Sequence, residues 1–331
     1  MFYMTKINFD SRWCGEHGIG RFANEIRKAN VNFIDLPLSG NPAGKFDVLK
    51  LTWFLAKNKN YYYSPGYNAP YFFLRRCVIT IHDLNHIDLP YNSSFLKRLY
   101  YEMVLKRACK NSALIFTVSE FSKKRIIEWS GVSAKKIIVV GNGVSQEFST
   151  DSKPHQPGYK YIFVVGNRKQ HKNEERALLG FINAKIDKDV KIVFSGDPST
   201  TLIELAKRND ATSRVIFSGR LSNTKLAEYY KGAEFLLFPS LYEGFGLPVI
   251  ESMACGTPVI TSDNTSLGEV AGDAAYLVNP NDQEHITKAI EELYKNDQLR
   301  VELKKKGIER AQIFSWQETI AKVESSLKSL P

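Results

Sequence analysis

Two glutamates, Glu243 and Glu251, bracket the stretch EGFGLPVIE. Between them, Gly244 and Gly246 let the backbone come close to a ligand. Pro248 suits the first turn of a helix, where its missing N–H costs nothing. The stretch therefore reads as the end of an apolar strand (235–238), a loop, and a helix that stops at Gly256. Backbone N–H groups around Phe245, Gly246 and Leu247 would suit a phosphate at the helix start. Glu243 could accept bonds from sugar hydroxyls. Glu251, expected in the first turn of the helix, could reach a second polar part of the same ligand. Two such acceptors with phosphate donors between them describe a sugar-nucleotide site. A plainer reading has Glu251 complementing the helix dipole and Glu243 solvated.

Other residues could share that chemistry. GNRKQHKNEERAL (166–178) follows a strand and opens a helix, with Arg168, Lys169, His171 and Lys172 where a pyrophosphate could sit. Fixed cations there would stabilise a departing nucleoside diphosphate without a metal. His82 ends the apolar run CVITIH and precedes Asp83, with His86 and Asp88 nearby on what could be an acceptor side. GEHGIGRF (15–22) offers Glu16, His17, Gly18 and Arg21. Gly18, Gly20 and Ala23 match G-x-G-x-x-A, and Asp35 follows, which is similar to a dinucleotide fingerprint. That fingerprint needs its first glycine directly after the strand, whereas Ser11–His17 intervene here. Asp187 and Asp189 spell D-x-D but fall in a helix-to-strand turn and read as solvated. No other Asp/Glu/His cluster has metal spacing, so no metal is expected.

The elements that must position these residues alternate along the chain. Strands are expected at 6–10, 32–36, 61–64, 77–83, 113–119, 136–142, 161–167, 191–197, 214–219, 235–240 and 257–262. Helices are expected at 18–29, 94–110, 120–130, 172–185, 199–209, 222–232, 248–255, 283–296 and 298–312. Continuous β-branched runs suit parallel strands buried on both faces. The order is that of two doubly wound α/β halves. The polar stretch 150–160, with two prolines and a glycine, marks the boundary. Two such sheets would face each other across a cleft, with ligands at the strand carboxyl ends.

The 331 residues suit two domains of ordinary globular composition, 43% hydrophobic and 24% charged. No apolar run is long enough to span a membrane, and MFYMTKINFD has no signal-peptide core. The four scattered cysteines read as reduced thiols, which points to a cytoplasmic protein. The net charge of +10 is uneven: residues 1–150 hold 21 Lys+Arg against 11 Asp+Glu, while residues 151–331 hold 24 of each. A basic first half suggests an anionic partner. No nucleic-acid motif accompanies it, so nucleic acid is not expected. The segment 94–110 reads as an amphipathic helix with Lys97, Arg98, Lys106 and Arg107. It could lie peripherally on an anionic membrane surface, or pack normally with a wet cationic side.

EGFGLPVIESMACGTPVI resembles the donor-site signature of retaining glycosyltransferases of the GT-B fold, family 4. YYYSPGYNAP, CVITIHDLNHID, FTVSEFSKKRI, VVGNGV, FVVGNRKQHKN and the final FSWQETIAKVESSL resemble segments in the same order. The resemblance implies two Rossmann-like domains, 1–152 on the acceptor side and 158–314 for the donor, with residues 315–331 packing back on the first. It implies that Glu243 contacts the transferred sugar, Glu251 the ribose, and His82 the sugar and its α-phosphate. It also brings Gly18 near the donor phosphate and reads the base along 218–222, around Gly219. Lys172 aligns with a family lysine. Gln170-His171 stand where Pro-Arg is usual, and Arg168 sits one place beyond the usual arginine.

Retention would then proceed by same-face attack, the leaving phosphate taking the acceptor's proton. Arg168 and Lys172 would stabilise the leaving group, with His82 and Glu243 orienting the sugar. GNRKQHKN and GEHGIGRF resemble envelope-polysaccharide mannosyltransferases, which favours GDP-mannose as donor and leaves UDP- and dTDP-sugars open. The acceptor would be a glycan, growing or linked to a polyprenyl pyrophosphate. An NAD(P)-dependent oxidoreductase using Gly18 and Asp35, or a non-catalytic binding protein of the same fold, are the other readings.

Overall fold

The computed structural model describes residues 6–331. They form two compact units, one running to Gly143 and completed by Ser315–Pro331, the other Val144–Phe314. The stretch 150–160, expected to be the boundary, lies wholly in the second unit. Its polarity reflects exposure, not a crossing. His155 N–H donates to Glu228 O at 2.9 Å, and its ring stacks on Tyr229 at 4.0 Å.

The first unit is built on a six-stranded parallel sheet: β1 (Ile7–Phe9), β2 (Phe33–Asp35), β3 (Tyr61–Ser64), β4 (Cys77–Thr80), β5 (Leu114–Thr117) and β6 (Ile137–Val139). Spatial order is β2-β1-β3-β4-β5-β6. Its helices are α1 (Gly18–Ile26), α2 (Asp47–Lys57), the single turn α3 (Asn85–Asp88), α4 (Phe95–Tyr100), α5 (Lys106–Asn111) and α6 (Glu120–Ser130). A π-turn, Tyr101–Leu105, joins α4 to α5. Apolar strands such as Cys77–Thr80 are buried throughout, because helices cover both faces of a parallel sheet.

The second unit repeats the plan with β7 (Tyr161–Val164), α7 (Glu174–Asn183), β8 (Lys191–Phe194), α8 (Thr200–Arg208), β9 (Val215–Phe217), α9 (Asn223–Gly232), β10 (Phe235–Phe238), α10 (Leu247–Ala254), β11 (Val259–Ser262), α11 (Thr265–Ala271), β12 (Tyr276–Val278), α12 (Gln283–Lys295) and α13 (Asp297–Gln312). Its strands, all parallel, run β12-β11-β10-β7-β8-β9, the doubly wound order in which connections reverse between β7 and β10. In the first sheet they reverse between β1 and β3.

The last helix, α14 (Trp316–Lys328), belongs to the first unit. Its Trp316 lies 6.4 Å from Phe22 of α1, ring centroid to ring centroid. Gly143 is tight against it: a Cβ there would lie 2.2 Å from the Trp316 nitrogen.

Four elements escape the sequence reading: β12, α2, α3 and α11. Three of them are short. The eleven-residue α2 is hidden because it is apolar on two sides: Leu51 and Leu55 are buried, while Phe46 at its cap, Leu49 and Trp53 are exposed. An amphipathic signal needs one polar face.

Candidate active site

In open parallel sheets, ligands collect beyond the strand carboxyl ends where connections reverse. In the second unit that point lies between the loops after β7 and β10. These loops carry Arg168–Lys172 and Ser240–Gly246, so the fold brings the two sequence motifs together. Asn173, in the left-handed conformation, fastens them: its Nδ2 donates to Pro239 O and Pro280 O, both at 2.8 Å. Leu241 N–H also donates to His171 O at 2.7 Å.

At the centre, Lys172 Nζ donates to Glu243 Oε1 at 2.6 Å. Each side chain is 14% exposed, shielded enough to feel a strong field and open enough to meet a ligand. The ammonium has two further N–H donors and the carboxylate a second oxygen. The Lys172 charge also lies 5.1 Å from the Phe238 ring centroid.

Arg168 sits differently. Its backbone is left-handed, φ 62°, and Glu174 accepts its N–H at 3.0 Å. Its guanidinium bonds the Glu174 carboxylate, Ser195 O at 2.7 Å and Asp197 O at 2.7 Å. It is thus held mainly by protein acceptors and shapes the turn. Burial pushes the Glu174 carboxyl up, opposed by Arg168. Glu174 can reach in because residue 166 is glycine: a Cβ there would lie 2.3 Å from its Oε1. Lys169 is exposed and His171 buried.

Gly246 caps α10 at φ 104°, a conformation suited to glycine. Val249 N–H donates back to Gly246 O at 3.0 Å, and Pro248 has no N–H. Among the described residues, no hydrogen bond engages the N–H groups of Phe245, Gly246 and Leu247. Ser266 Oγ fixes the loop by donating to Glu243 O at 2.9 Å and Phe245 O at 3.0 Å. Glu251 is a correction: it stands in the second turn of α10, is 2% exposed, and its Oε2 accepts the Tyr230 hydroxyl at 3.1 Å. Gly219 follows β9 at φ 68°, its carbonyl accepting Gly196 N–H at 2.9 Å, with open space on its side-chain side.

The remaining candidates lie in the first unit. His82 Nε2 is 2.9 Å from Pro65 O. A carbonyl only accepts, so Nε2 carries the proton. Burial holds the imidazole down, to about 4, with the nearby His17 adding to the effect. The ring is therefore neutral near pH 7, and Nδ1 is an acceptor. His17 caps α1, its Nδ1 accepting Gly20 N–H at 3.0 Å, with Glu16 and Gly18 exposed beside it. Gly20 is the sterically compelled glycine of the loop, since a Cβ would lie 2.6 Å from Gly15 O. Arg21 follows on α1. His86 is turned onto its own loop, Nδ1 to Asn92 O at 2.6 Å.

The strand reversal of the first unit holds a cluster that sequence reasoning missed. Arg12 bonds Asp10 at 2.6 Å and Asp47 at 2.5 Å, with all three buried or nearly so. Asn68 Nδ2 donates to both carboxylates at 2.9 Å, and the Tyr62 hydroxyl donates to Asp10 at 2.9 Å. Two charges directly after a strand, Asp10 and Arg12, were the available signal.

The oxidoreductase signature does not assemble. Asp35 is exposed and pairs with Arg27 at 2.5 Å. Asp187 accepts the Tyr294 hydroxyl at 2.7 Å ahead of β8, at the end of the sheet opposite the reversal loops. Among the described residues, no group of three His, Cys, Asp or Glu is placed to hold a metal.

Residues 145–310 match the family Glycosyl transferases group 1, and residues 60–148 match Glycosyltransferase Family 4. O-antigen chain mannosyltransferase B of Escherichia coli is 28% identical over 293 residues, 84% of this chain and 77% of that relative. The O-antigen chain mannosyltransferase RfbU of Salmonella typhimurium is 32% identical over 225 residues, 66% of this chain and 61% of the relative. Among solved structures, WaaG, a glycosyltransferase involved in lipopolysaccharide biosynthesis, matches with a TM-score of 0.77 at 13% identity, over 98% of this chain and 99% of that one. HepE of Anabaena, solved with UDP and glucose, matches with a TM-score of 0.77 at 16% identity, over 99% and 100%. The fold is that of the GT-B glycosyltransferases.

Proposed function

The chain belongs to the glycosyl transferases of group 1, and from that premise we propose that it moves a hexose from a nucleotide sugar to a glycan with retention at the anomeric carbon. GDP-mannose is the favoured donor, since the relatives named above are mannosyltransferases. The observation that carries the reading is the Lys172–Glu243 pair beside the N–H groups of Phe245, Gly246 and Leu247, at the strand reversal of the second sheet. Lys172 and those N–H groups meet the pyrophosphate, Glu243 accepts from the transferred sugar, and Glu251, steadied by Tyr230, faces the ribose. Arg168 and Glu174 hold the turn that presents Lys172. Gly219 lies beside the base.

The bond from the anomeric carbon to the phosphate oxygen breaks as the acceptor oxygen bonds to that carbon on the same face. The acceptor's proton passes to the departing phosphate. Developing charge on the diphosphate is stabilised by fixed donors, an electrostatic contribution that needs no metal ion. His82, neutral with Nδ1 as its acceptor, suits a hydroxyl donor better than a phosphate. The acceptor is a glycan on a lipid pyrophosphate, met by the basic first unit at an anionic membrane.

Incubation of a glycan linked to a polyprenyl pyrophosphate, as acceptor, with GDP-mannose, UDP-glucose, dTDP-glucose or NADH, with and without EDTA, tests this. Expected are GDP release from GDP-mannose alone, unaffected by EDTA, and an α-linked product by NMR. A β-linked product, or dependence on a divalent ion, would overturn the mechanism. Binding of NADH without nucleotide-sugar turnover would overturn the activity.

A further inference from the structure

The loop that carries Glu243 is stitched to its neighbour one carbonyl at a time. Thr261 and Ser262 end β11, Asn264 caps α11, and Ser266 lies in its first turn. Thr261 Oγ1 donates to Phe238 O at 2.9 Å, Ser262 Oγ to Ser240 O at 2.7 Å, and Asn264 Nδ2 to Leu241 O at 3.4 Å. Ser266 Oγ then reaches both Glu243 O at 2.9 Å and Phe245 O at 3.0 Å. Thr261, Ser262 and Ser266 are fully buried. A hydroxyl has one hydrogen to give, so Ser266 shares it between two carbonyls.

The direction of capture matters, because a trans peptide points its N–H away from its C=O. In the sheet, β11 and β7 flank β10 on opposite sides. Carbonyls held from the β11 side therefore turn the N–H groups of the same peptides towards the β7 side. The Ser240–Leu241 peptide is a direct instance. Ser262 holds its carbonyl, and its N–H donates across to His171 O at 2.7 Å, in the turn that carries Lys172. Ser266 holds Phe245 O in the same way. The N–H of that peptide belongs to Gly246, and no hydrogen bond among the described residues engages it. The rung at Thr261 differs: the residue after Phe238 is Pro239, so that peptide has no N–H to aim.

The start of α11 gives up local stability in this arrangement. Asn264 stands at the N-cap, where an asparagine ordinarily bonds the helix's own N–H groups, yet it makes no such bond. Thr265 is held at φ 54°, a left-handed conformation that a β-branched residue rarely takes. Asn264 Oδ1 and Thr265 Oγ1 are buried with no hydrogen-bond partner among the described residues. Departures of this kind from local preference gather at functional positions.

We infer that Ser266 is a positioning residue of the transfer: from the β11 side it aims the Gly246 N–H at the diphosphate beside Lys172. It acts through the backbone and does not itself meet the substrate. Charge grows on the diphosphate as its bond to the sugar breaks. A well-aimed N–H therefore counts most in the transition state and in bound GDP, and least in intact GDP-mannose. The inference rests on the transferase reading and adds to it the side chain that orients a phosphate donor.

Calorimetry with GDP and UDP, kinetics with GDP-mannose and the polyprenyl-linked glycan, and thermal melting are compared for the wild type, Ser266→Ala, Ser266→Thr and Thr261→Val. In Ser266→Ala, kcat and GDP affinity should each fall about tenfold, while KM for GDP-mannose moves less than about threefold. Ser266→Thr keeps a hydroxyl and should restore most of both. Thr261→Val loses a bond of the same kind where no N–H is aimed, so it should melt lower, as Ser266→Ala does, with kcat and GDP affinity kept. Unchanged kcat and GDP affinity in Ser266→Ala would overturn the inference. So would equal losses in Thr261→Val, which would make the role purely structural, or a Ser266→Thr protein as impaired as Ser266→Ala. In each of those cases the wild type still binds and turns over its donor. A wild type that binds neither GDP nor UDP would instead remove the transferase reading, and this role with it.

Discussion

The two units place charged groups at the same point of the same architecture and use them oppositely. At the reversal of the second sheet, Lys172 and Glu243 are paired but partly open, with bonding capacity left over. At the reversal of the first, Asp10, Arg12 and Asp47 are buried and saturated by Asn68 and Tyr62. Burial pushes the Asp47 carboxyl up, against the pull of Arg12 and Asn68. An ion pair that has finished its bonding is structural, while one with donors left over can take a ligand. Position in the fold alone does not separate the two.

The largest effect should come from Arg12→Met. It leaves two carboxylates buried without their cation, a loss of about 3–5 kcal/mol. In urea, the transition of the first unit should move to lower denaturant while that of the second stays. Adding Asp47→Asn should restore part of the loss. Lys172→Met should do the reverse: melting barely changes, while kcat falls by about 10²–10³, as when one fixed donor to a developing charge is removed. Equal destabilisation by both variants would erase the distinction between the sites.

A smaller effect sharpens it. The His82 imidazole is held down to about 4 from its ordinary 6.5. Between those values the unfolded chain takes up a proton that the folded chain refuses. Stability that His82 supplies above pH 6.5 is therefore lost as pH falls towards 4. Melting of the wild type followed from pH 7 to 4 should show that slope, and His82→Gln should flatten it. Asp47 and Glu174, pushed up by burial, act in the opposite direction.

The parallel sheets were legible because buried parallel strands are continuous apolar runs, as in Tyr161–Val164. The meeting of Lys172 with Glu243 was legible once both loops were put at strand ends. Three things were not. Glu251 was expected in the first turn of a helix starting at 248, and the observed start at Leu247 moves it into the second. Arg168 read as a cation for the leaving diphosphate and Glu174 drew no reading, since their bond depends on the left-handed turn at Arg168 and on the missing side chain at Gly166. And α2 was invisible because its second apolar side blurs the helical period. A side chain kept apolar on an exposed surface conflicts with the local pattern, and such conflicts gather where a protein does something other than fold.

The first unit is written in two pieces, with the second unit's residues between them. On the ribosome, Phe22 and Gly143 emerge long before Trp316, which packs beside both. Domains tend to fold as units during synthesis, but this order is inverted here. The second unit is complete when Phe314 is made, whereas the first must wait, with the seat of α14 uncovered, for the last residues of the chain. A nascent chain released short of α14 would carry a finished second unit and an unfinished first one. Premature termination would thus leave the apolar seat around Phe22 uncovered, and that seat is what quality control could recognise.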